Sequence, residues 1–477
     1  MATARPADVG DITPREMAPV VAASTTGTAI EWYAFFLYGT MATLVFPKLF
    51  FPASDQVVGT LLSFFTFLVG FIARPIGGAI FGHLGDRIGR KSTLIVTLLL
   101  MGIATLLVGF MPGYAQIGIL APILVSVLRF CQGLGVGGEW GGSVLLALEY
   151  GHKRNRGFWA AWPQMGVPIG LILSTLIVKI FSGGGKAFFD PAATGWWNGT
   201  WRIPFFISAL LIVIGLYIRL RILETPLFAK VQEQNRLASS PVAEAFRRST
   251  PEILLSAGAR FTEQAPFYLF TTFVITYGIH LKVDSAVILN GIILAGIVEL
   301  FTIPTFARIS DTVGRRSWYL VGCVLMALFA FPYFALLNTK NSAVMVLSIV
   351  LSVALCHAWV YGPQAALIAE RFGTRSRYSG ASLGYQLAAP FAGGLAPIIA
   401  LLLLNGKTSL AALGLPKVEV GIGGGSWQAV SIYIVVLGAI SFLSVLGLKE
   451  LTRADISDIE VVRPEAVAVS PGVGLQE

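Results

Sequence analysis

The sequence predicts an all-α integral membrane protein of twelve transmembrane helices arranged as two six-helix pseudo-repeats. Three observations predict it. First, 55% of the 477 residues are hydrophobic and 12% are charged. That is about half the charge of a soluble domain, and only a bilayer hides so much apolar surface. Second, apolar runs of about 20 residues, long enough to cross ~30 Å of hydrocarbon, recur along the chain. Third, the basic segment Gly82–Lys91 (GHLGDRIGRK) between two such runs is echoed in the second half by Ala307–Arg316 (ARISDTVGRR). Asp86 answers to Asp311, Gly89 to Gly314 and Arg90 to Arg315, so the fold was built twice.

The elements follow in order. Residues 1–20 carry Asp8, Asp11 and Glu16 with no apolar stretch, which excludes a cleaved signal peptide and leaves an expected cytoplasmic tail. Residues 21–221 contain the first six runs, at about 21–46, 58–82, 92–111, 116–148, 157–182 and 201–221. Residues 222–250, with the polar stretch Gln232–Arg236, read as a linker between the halves. Residues 251–448 contain the second six, at about 251–279, 286–307, 317–337, 342–369, 379–404 and 427–448. Residues 449–477, with Pro464 and Pro471 and no apolar heptads, are expected to be a disordered tail. Of the basic residues in loops and tails, 23 fall on one side of this layout and 6 on the other. The positive-inside rule therefore places both termini in the cytoplasm.

The net charge of +9 lies in these short turns, so it reads as topology and excludes a nucleic-acid surface. Cys131, Cys323 and Cys356 sit inside apolar runs without metal-ligand spacing. The four histidines are scattered, and neither a metal nor a cofactor is expected. No G-x-x-x-x-G-K-[ST] loop occurs, which argues against ATP-driven transport.

Charges inside the spans are the functional candidates, because each costs about 2.5–3.5 kcal/mol at a helix centre. They are Glu31, Arg74, Arg129, Glu139, Arg260, Glu263 and Glu299. Arg129, midway along span 4, suits a carboxylate clamp because its planar fork binds bidentately. The alternative is a buried pair with Glu31 or Glu139. Gly133, Gly135, Gly137 and Gly138 allow close helix approach around it. Glu31, Glu139 and Glu263 are candidate proton carriers, since burial disfavours the ionised form; Glu139 could instead brace a neighbour. Arg260, Glu263, Phe267 and Thr271 share one face of span 7, so Arg260 and Glu263 either neutralise each other or line a cavity. Tyr38, Gln164, Tyr268, Tyr361 and Gln386 complete the expected substrate contacts. His357 reads first as a core histidine and second as a proton carrier.

The signature turn, together with Ile30–Tyr33, Ala73–Gly78, Arg129–Gly133, Gly137–Gly142, Trp162–Gln164, Glu224–Pro226, Tyr361–Gln364 and Arg377–Gln386, resembles the major facilitator superfamily. More narrowly, the chain resembles its metabolite:proton symporter family. The resemblance spans nearly all twelve helices. It implies the major facilitator fold, alternating access, and proton-coupled uptake of a small organic acid or related polar metabolite across an inner membrane by a monomer in contact with lipid. It further implies a gate made by Gly82, Gly85, Asp86, Arg87, Gly89, Arg90, Asp311, Gly314 and Arg315. The family usually carries an aspartate where this chain has Ala34. A proton-independent facilitator therefore stays open as an alternative, and the family's substrate range separately leaves open a zwitterionic osmolyte symporter. An integral-membrane enzyme or a transport-dead sensor is the remote one, since no cluster of nucleophile, base or metal ligands is present.

Overall fold

The computed structural model describes residues 14–52, 56–150, 153–182, 188–190, 199–220, 241–373, 377–406, 408–410, 415–420, 425–452 and 454. Within them the chain forms twelve membrane-length spans. Spans 1–6 are Pro14–Leu44, Gln56–Ile88, Arg90–Phe110, Leu120–Tyr150, Arg156–Ser182 and Thr200–Leu220. Spans 7–12 are Pro241–His280, Ser285–Val313, Arg315–Asn338, Ser342–Ala369, Arg377–Asn405 and Trp427–Leu446. Ten of these are long and apolar enough to cross a membrane by length and composition. Spans 1 and 7 are the exceptions, and both are enclosed by protein: every residue from Ala29 to Thr43 and from Thr262 to Ile275 is buried. The outer spans instead expose aliphatic side chains, among them Leu107, Val213, Leu328 and Leu443, the pattern of a lipid-facing surface.

The two signature turns adopt one backbone conformation. Gly89 has φ 105° and Gly314 φ 104°, a region in which a Cβ is strained. Each glycine ends one span and starts the next, so each half makes the same reversal with the same residue.

Spans 2 and 4 cross with almost no side chain between them. A Cβ on Gly133 would fall 2.0 Å from the Gly70 carbonyl oxygen, one on Gly137 2.2 Å from that of Arg74, and one on Gly77 2.1 Å from that of Leu134. This is the small-residue contact expected where lipid supplies no hydrophobic drive between helices.

The halves meet where span 2 packs on span 11, span 5 on spans 8 and 10, span 4 on span 11, and span 1 on span 7. Spans 7, 10 and 11 each carry a π-helical turn, at Leu269–Phe273, Leu351–His357 and Ala389–Gly394. Such turns frequently mark functional sites.

Three details depart from the sequence reading. A two-stranded antiparallel hairpin, Thr408–Leu410 with Leu415–Val420, lies between spans 11 and 12, so the fold is helical but not purely so. The last part of the expected linker is helical, because span 7 starts at Pro241 and kinks at Ser249 (φ −133°). The first residues of the expected tail are packed rather than loose. The Lys449 carbonyl accepts from Arg371 at 2.8 Å, and the Glu450 carboxylate accepts from the Arg316 amide at 2.9 Å. Residues 455–477 and all of 222–240 lie outside the described residues.

Candidate functional site

The glycine crossing of spans 2 and 4 sets two arginines side by side. Arg74 is 0% exposed and Arg129 1%. Both guanidiniums pack on Phe35 of span 1, with Cζ 4.3 Å and 4.2 Å from the ring centroid. Arg74 also lies over Phe71 (4.4 Å), and Arg129 over Tyr38 (4.3 Å) and Phe67 (4.8 Å). Cation–π contacts of this kind hold a desolvated cation by about 2 kcal/mol. Among the described residues no carboxylate pairs with either arginine. Arg129 Nη1 donates to Gln132 Oε1 at 3.0 Å, while Nε and Nη2 have no partner. Arg74 makes no hydrogen bond of good geometry, and the Tyr268 hydroxyl of the second half, which faces it, makes none either.

Neither acid expected beside Arg129 pairs with it. Glu139 is bonded to Arg219 of span 6 and accepts from Ser143 (2.9 Å) and Thr97 (3.2 Å). Glu31 lies near Glu139, Arg74 and Arg219, and its Oε2 is unbonded. Ala34, the family's aspartate position, belongs to a small apolar cluster with Met101 and Val136.

In the second half, four charged or titratable groups form a line. Arg260 contacts Glu263 at 3.1 Å, Glu263 Oε1 lies 3.5 Å from His357 Nε2, and His357 Nδ1 lies 2.6 Å from Glu299 Oε1. All are at most 3% exposed. Arg260 also donates to the Tyr385 carbonyl and stacks over that ring at 3.3 Å. Tyr385 stacks in turn on Trp140 of the first half at 3.6 Å and 12°. Trp140 donates to Gln164, and Gln164 donates to the Tyr361 carbonyl at 2.7 Å. The hydroxyls of Tyr361 and Tyr385 face each other without a hydrogen bond of good geometry, and Oε1 of Gln386 makes none.

The face carrying the signature turns is closed by both copies of the turn. Asp86 accepts from the Ser379 amide (3.0 Å) and hydroxyl (2.8 Å) at the start of span 11. Asp311 accepts from the amides of Gly157 (2.9 Å) and Phe158 (3.0 Å) at the start of span 5. A carboxylate at a helix N-terminus is favoured by free amides and the helix dipole. Gly85 lies against Tyr378, whose hydroxyl donates to the Gly138 carbonyl, and a Cβ on Gly82 would lie 3.1 Å from Ser379 Cα. Arg315 bonds Asp311 (2.7 Å) and, with Arg156, contacts Glu370 at 3.2 and 3.3 Å. Arg87 only approaches its neighbour His83 on the surface, and the Arg90 side chain lies outside the described residues. At the opposite face Lys179 of span 5 donates to Asn290 of span 8, and Gly39 of span 1 lies against Thr272 of span 7. The two halves therefore touch on both sides of the two arginines.

The model of the major facilitator superfamily matches residues 24–397. This chain belongs to the major facilitator superfamily. Among relatives, it is 37% identical to the shikimate transporter of Escherichia coli (strain K12), over 90% of this chain and 94% of that one. It is 31% identical to the proline/betaine transporter of the same organism, over 84% and 81%. Among solved structures, the proton:xylose symporter XylE of E. coli superposes with a TM-score of 0.71 at 15% identity, covering 93% of this chain and 98% of that one. The last shows the fold alone. This major facilitator chain is a multi-pass membrane transporter and not an enzyme.

The Asp86 and Asp311 contacts give one expected result for such a transporter. Removing Asp86 deletes two charge-assisted hydrogen bonds, each worth about 1.5–3 kcal/mol. Asp86→Ala is therefore expected to open this face, lengthening the distance between spin labels at Ile88 and Arg308 measured by double electron–electron resonance. Glu370 adds a pH dependence. Burial pushes its carboxyl up to about 7, against the pull of Arg315 and Arg156. Once the face opens and water returns, the value falls toward about 4.3, so closing takes up a proton. The closed form gains from this below pH 7 and loses the gain as pH rises through 7. The same label distance is expected to lengthen from pH 6 to pH 8, and Glu370→Gln is expected to flatten the response.

Of the residues expected from sequence, Tyr38, Arg129 and Tyr268 gather around the paired guanidiniums; Gln164, Arg260, Tyr361 and Gln386 gather around Trp140 and Tyr385. The sequence reading singled out Arg74 as an in-span charge but did not place it beside Arg129, and it is the more thoroughly unpaired of the two arginines. The Glu299–His357 contact was also missed, because residues 58 positions apart carry no spacing signal.

Proposed function

We propose that this chain is a proton-coupled symporter that carries a small organic carboxylate into the cell by alternating access between its two halves. The observation that carries the reading is the pair of buried guanidiniums, Arg74 and Arg129, with N–H groups that make no hydrogen bond of good geometry and, among the described residues, no carboxylate in ion-pair contact with either. Leaving such donors unmet costs about 1–3 kcal/mol each, and a cargo carboxylate supplies the acceptors. Relatedness to a shikimate transporter points to the same cargo class. Betaine fits less well. A quaternary ammonium needs free aromatic faces, and Phe35, Tyr38, Phe67 and Phe71 already face guanidiniums. The basic-turn face is cytoplasmic on this reading, with both termini on that side, and the carrier works as a monomer in the inner membrane. Glu31, near Arg74, stays a candidate proton carrier beside Glu263.

The test is uptake into proteoliposomes under an imposed pH gradient. Radiolabelled shikimate is expected to accumulate and to alkalinise the outside medium, while proline and betaine compete weakly. Accumulation of proline or betaine without shikimate would overturn the cargo assignment, and uptake indifferent to the gradient would overturn symport.

A further inference from the structure

Each half holds one buried cluster of charges beside the paired arginines or His357, and the two clusters are unequal. In the first half Arg74, Arg129 and Arg219 face Glu31 and Glu139, an excess of one positive charge. In the second half Arg260 faces Glu263 and Glu299, an excess of one negative charge with His357 neutral. All nine groups counted here are at most 3% exposed. The other titratable groups around this cluster are phenols: Tyr361 stacks on His357 at 4.8 Å, and Tyr268 on span 7, Tyr319 on span 9 and Tyr385 on span 11 lie near Glu263 and Arg260. Phenols stay neutral at physiological pH, so they leave the count unchanged. Among the described residues the remaining buried charges stand outside these two clusters, with Arg156, Asp311, Arg315 and Glu370 bonded to one another at the signature-turn face and Arg202 to backbone carbonyls, and in a low-dielectric interior an uncompensated charge is costly.

We infer that the Glu299–His357 pair binds the coupled proton, one per carboxylate carried. The inference rests on the carboxylate reading above for its stoichiometry, but not for the proton site. The geometry suits a single shared proton. With Nδ1–H donated to Glu299 at 2.6 Å, the opposite ring nitrogen lies 3.5 Å from Glu263 Oε1. A proton arriving on Nε2 therefore meets a second carboxylate, and the imidazolium ends between two acids. The proton brings the second half to zero, as a monocarboxylate on Arg74 and Arg129 brings the first half to zero.

This count yields the symport rule. The empty carrier and the doubly loaded carrier are each neutral overall across these groups, whereas cargo alone or proton alone leaves a net buried charge. Only the two neutral forms cross the occluded state readily. The mechanical link is the contact chain from Glu263 through Arg260 to Tyr385, which stacks on Trp140 of the other half. Protonating His357 weakens the hold of Glu263 on Arg260, and Arg260 is the group that fixes the span 11 side of that stack.

The deciding variant is Glu299→Gln, which makes the second half neutral without a proton. In the uptake assay of the preceding subsection, the parent is expected to accumulate cargo about tenfold per unit of pH gradient, the ratio for one proton per monoanion, without responding to membrane potential. Glu299→Gln is expected to lose the pH-driven accumulation, to keep exchanging cargo, and to become potential-dependent because it now moves a net negative charge. His357→Lys, which fixes the positive charge, is expected to behave alike and serves if Glu299→Gln does not fold. Parent-like pH-driven accumulation in either variant overturns the inference. If the parent carries no carboxylate, the cargo reading fails separately. The proton site is then decided by NMR of 15N-histidine in the cargo-free parent: a buried imidazole that titrates, and disappears in His357→Asn, sustains it, and an imidazole that never changes state overturns it.

Discussion

Arg129→Lys is expected to weaken carboxylate binding by roughly a hundredfold while leaving the protein folded. The argument lies in which edge of the guanidinium is free. Nη1 is anchored to Gln132, and Gln132 is anchored to Thr105 at 2.8 Å, so the unbonded Nε and Nη2 present one planar edge. That edge matches the two oxygens of a carboxylate, and paired charge-assisted bonds are the strong kind. Lysine keeps the charge but offers a single point donor and forfeits the stacking on Phe35, Tyr38 and Phe67. Losing one such bond and the stacking costs about 3 kcal/mol, a factor on the order of a hundred in affinity. A thermal-shift titration of purified protein with shikimate measures it. Unaltered affinity in the variant would remove Arg129 from the cargo site.

A second large effect is expected on stability. Arg219→Ala strands Glu139, which is 2% exposed, beside hydroxyls that cannot neutralise it. Breaking one side of a buried pair costs about 3–5 kcal/mol, much of a typical folding stability. The surroundings are fitted to the pair: a Cβ on Gly27 would lie 2.1 Å from Arg219 Nη2. The single variant is expected to lose yield and melt early in detergent. Replacing both partners with apolar residues, Arg219→Met with Glu139→Leu, is expected to recover most of the loss. Proton-coupled uptake is expected to survive that double replacement, which removes one charge of each sign and leaves the balance of the first half unchanged. Loss of coupling in that variant with normal folding would return Glu139 to the proton path.

The fold was legible because membrane insertion writes itself into composition and period. Twelve apolar runs, the basic asymmetry of the loops and the repeated turn each follow from the cost of placing charge in hydrocarbon. The glycine cluster around Arg129 was legible for the same reason, as small residues at helical spacing have one main use in a bilayer. The site was less so. Arg74 lies toward the cytoplasmic end of span 2 in the sequence, and only the crossing with span 4 reveals that it stands beside Arg129. Glu139 and Arg219 are partners on separate helices, and Glu299 and His357 likewise; no local pattern assigns a charge to its counter-charge across a bundle. Ala34 had seemed the decisive departure, yet its apolar neighbours Met101 and Val136 show that the surroundings fit the smaller side chain.

The backbone contact of Gly133 and Gly137 with span 2 has a bearing on how cargo preference can change over time. With no side chains between the helices to resize, Arg74 and Arg129 are mounted on a single rigid bracket, and their spacing is beyond the reach of ordinary substitutions. The rings that surround them carry no such constraint. Diversification among carriers built this way should therefore run through Trp32, Phe35, Tyr38, Phe67 and Tyr268, altering which molecule accompanies the carboxylate while the carboxylate itself remains the fixed currency of recognition.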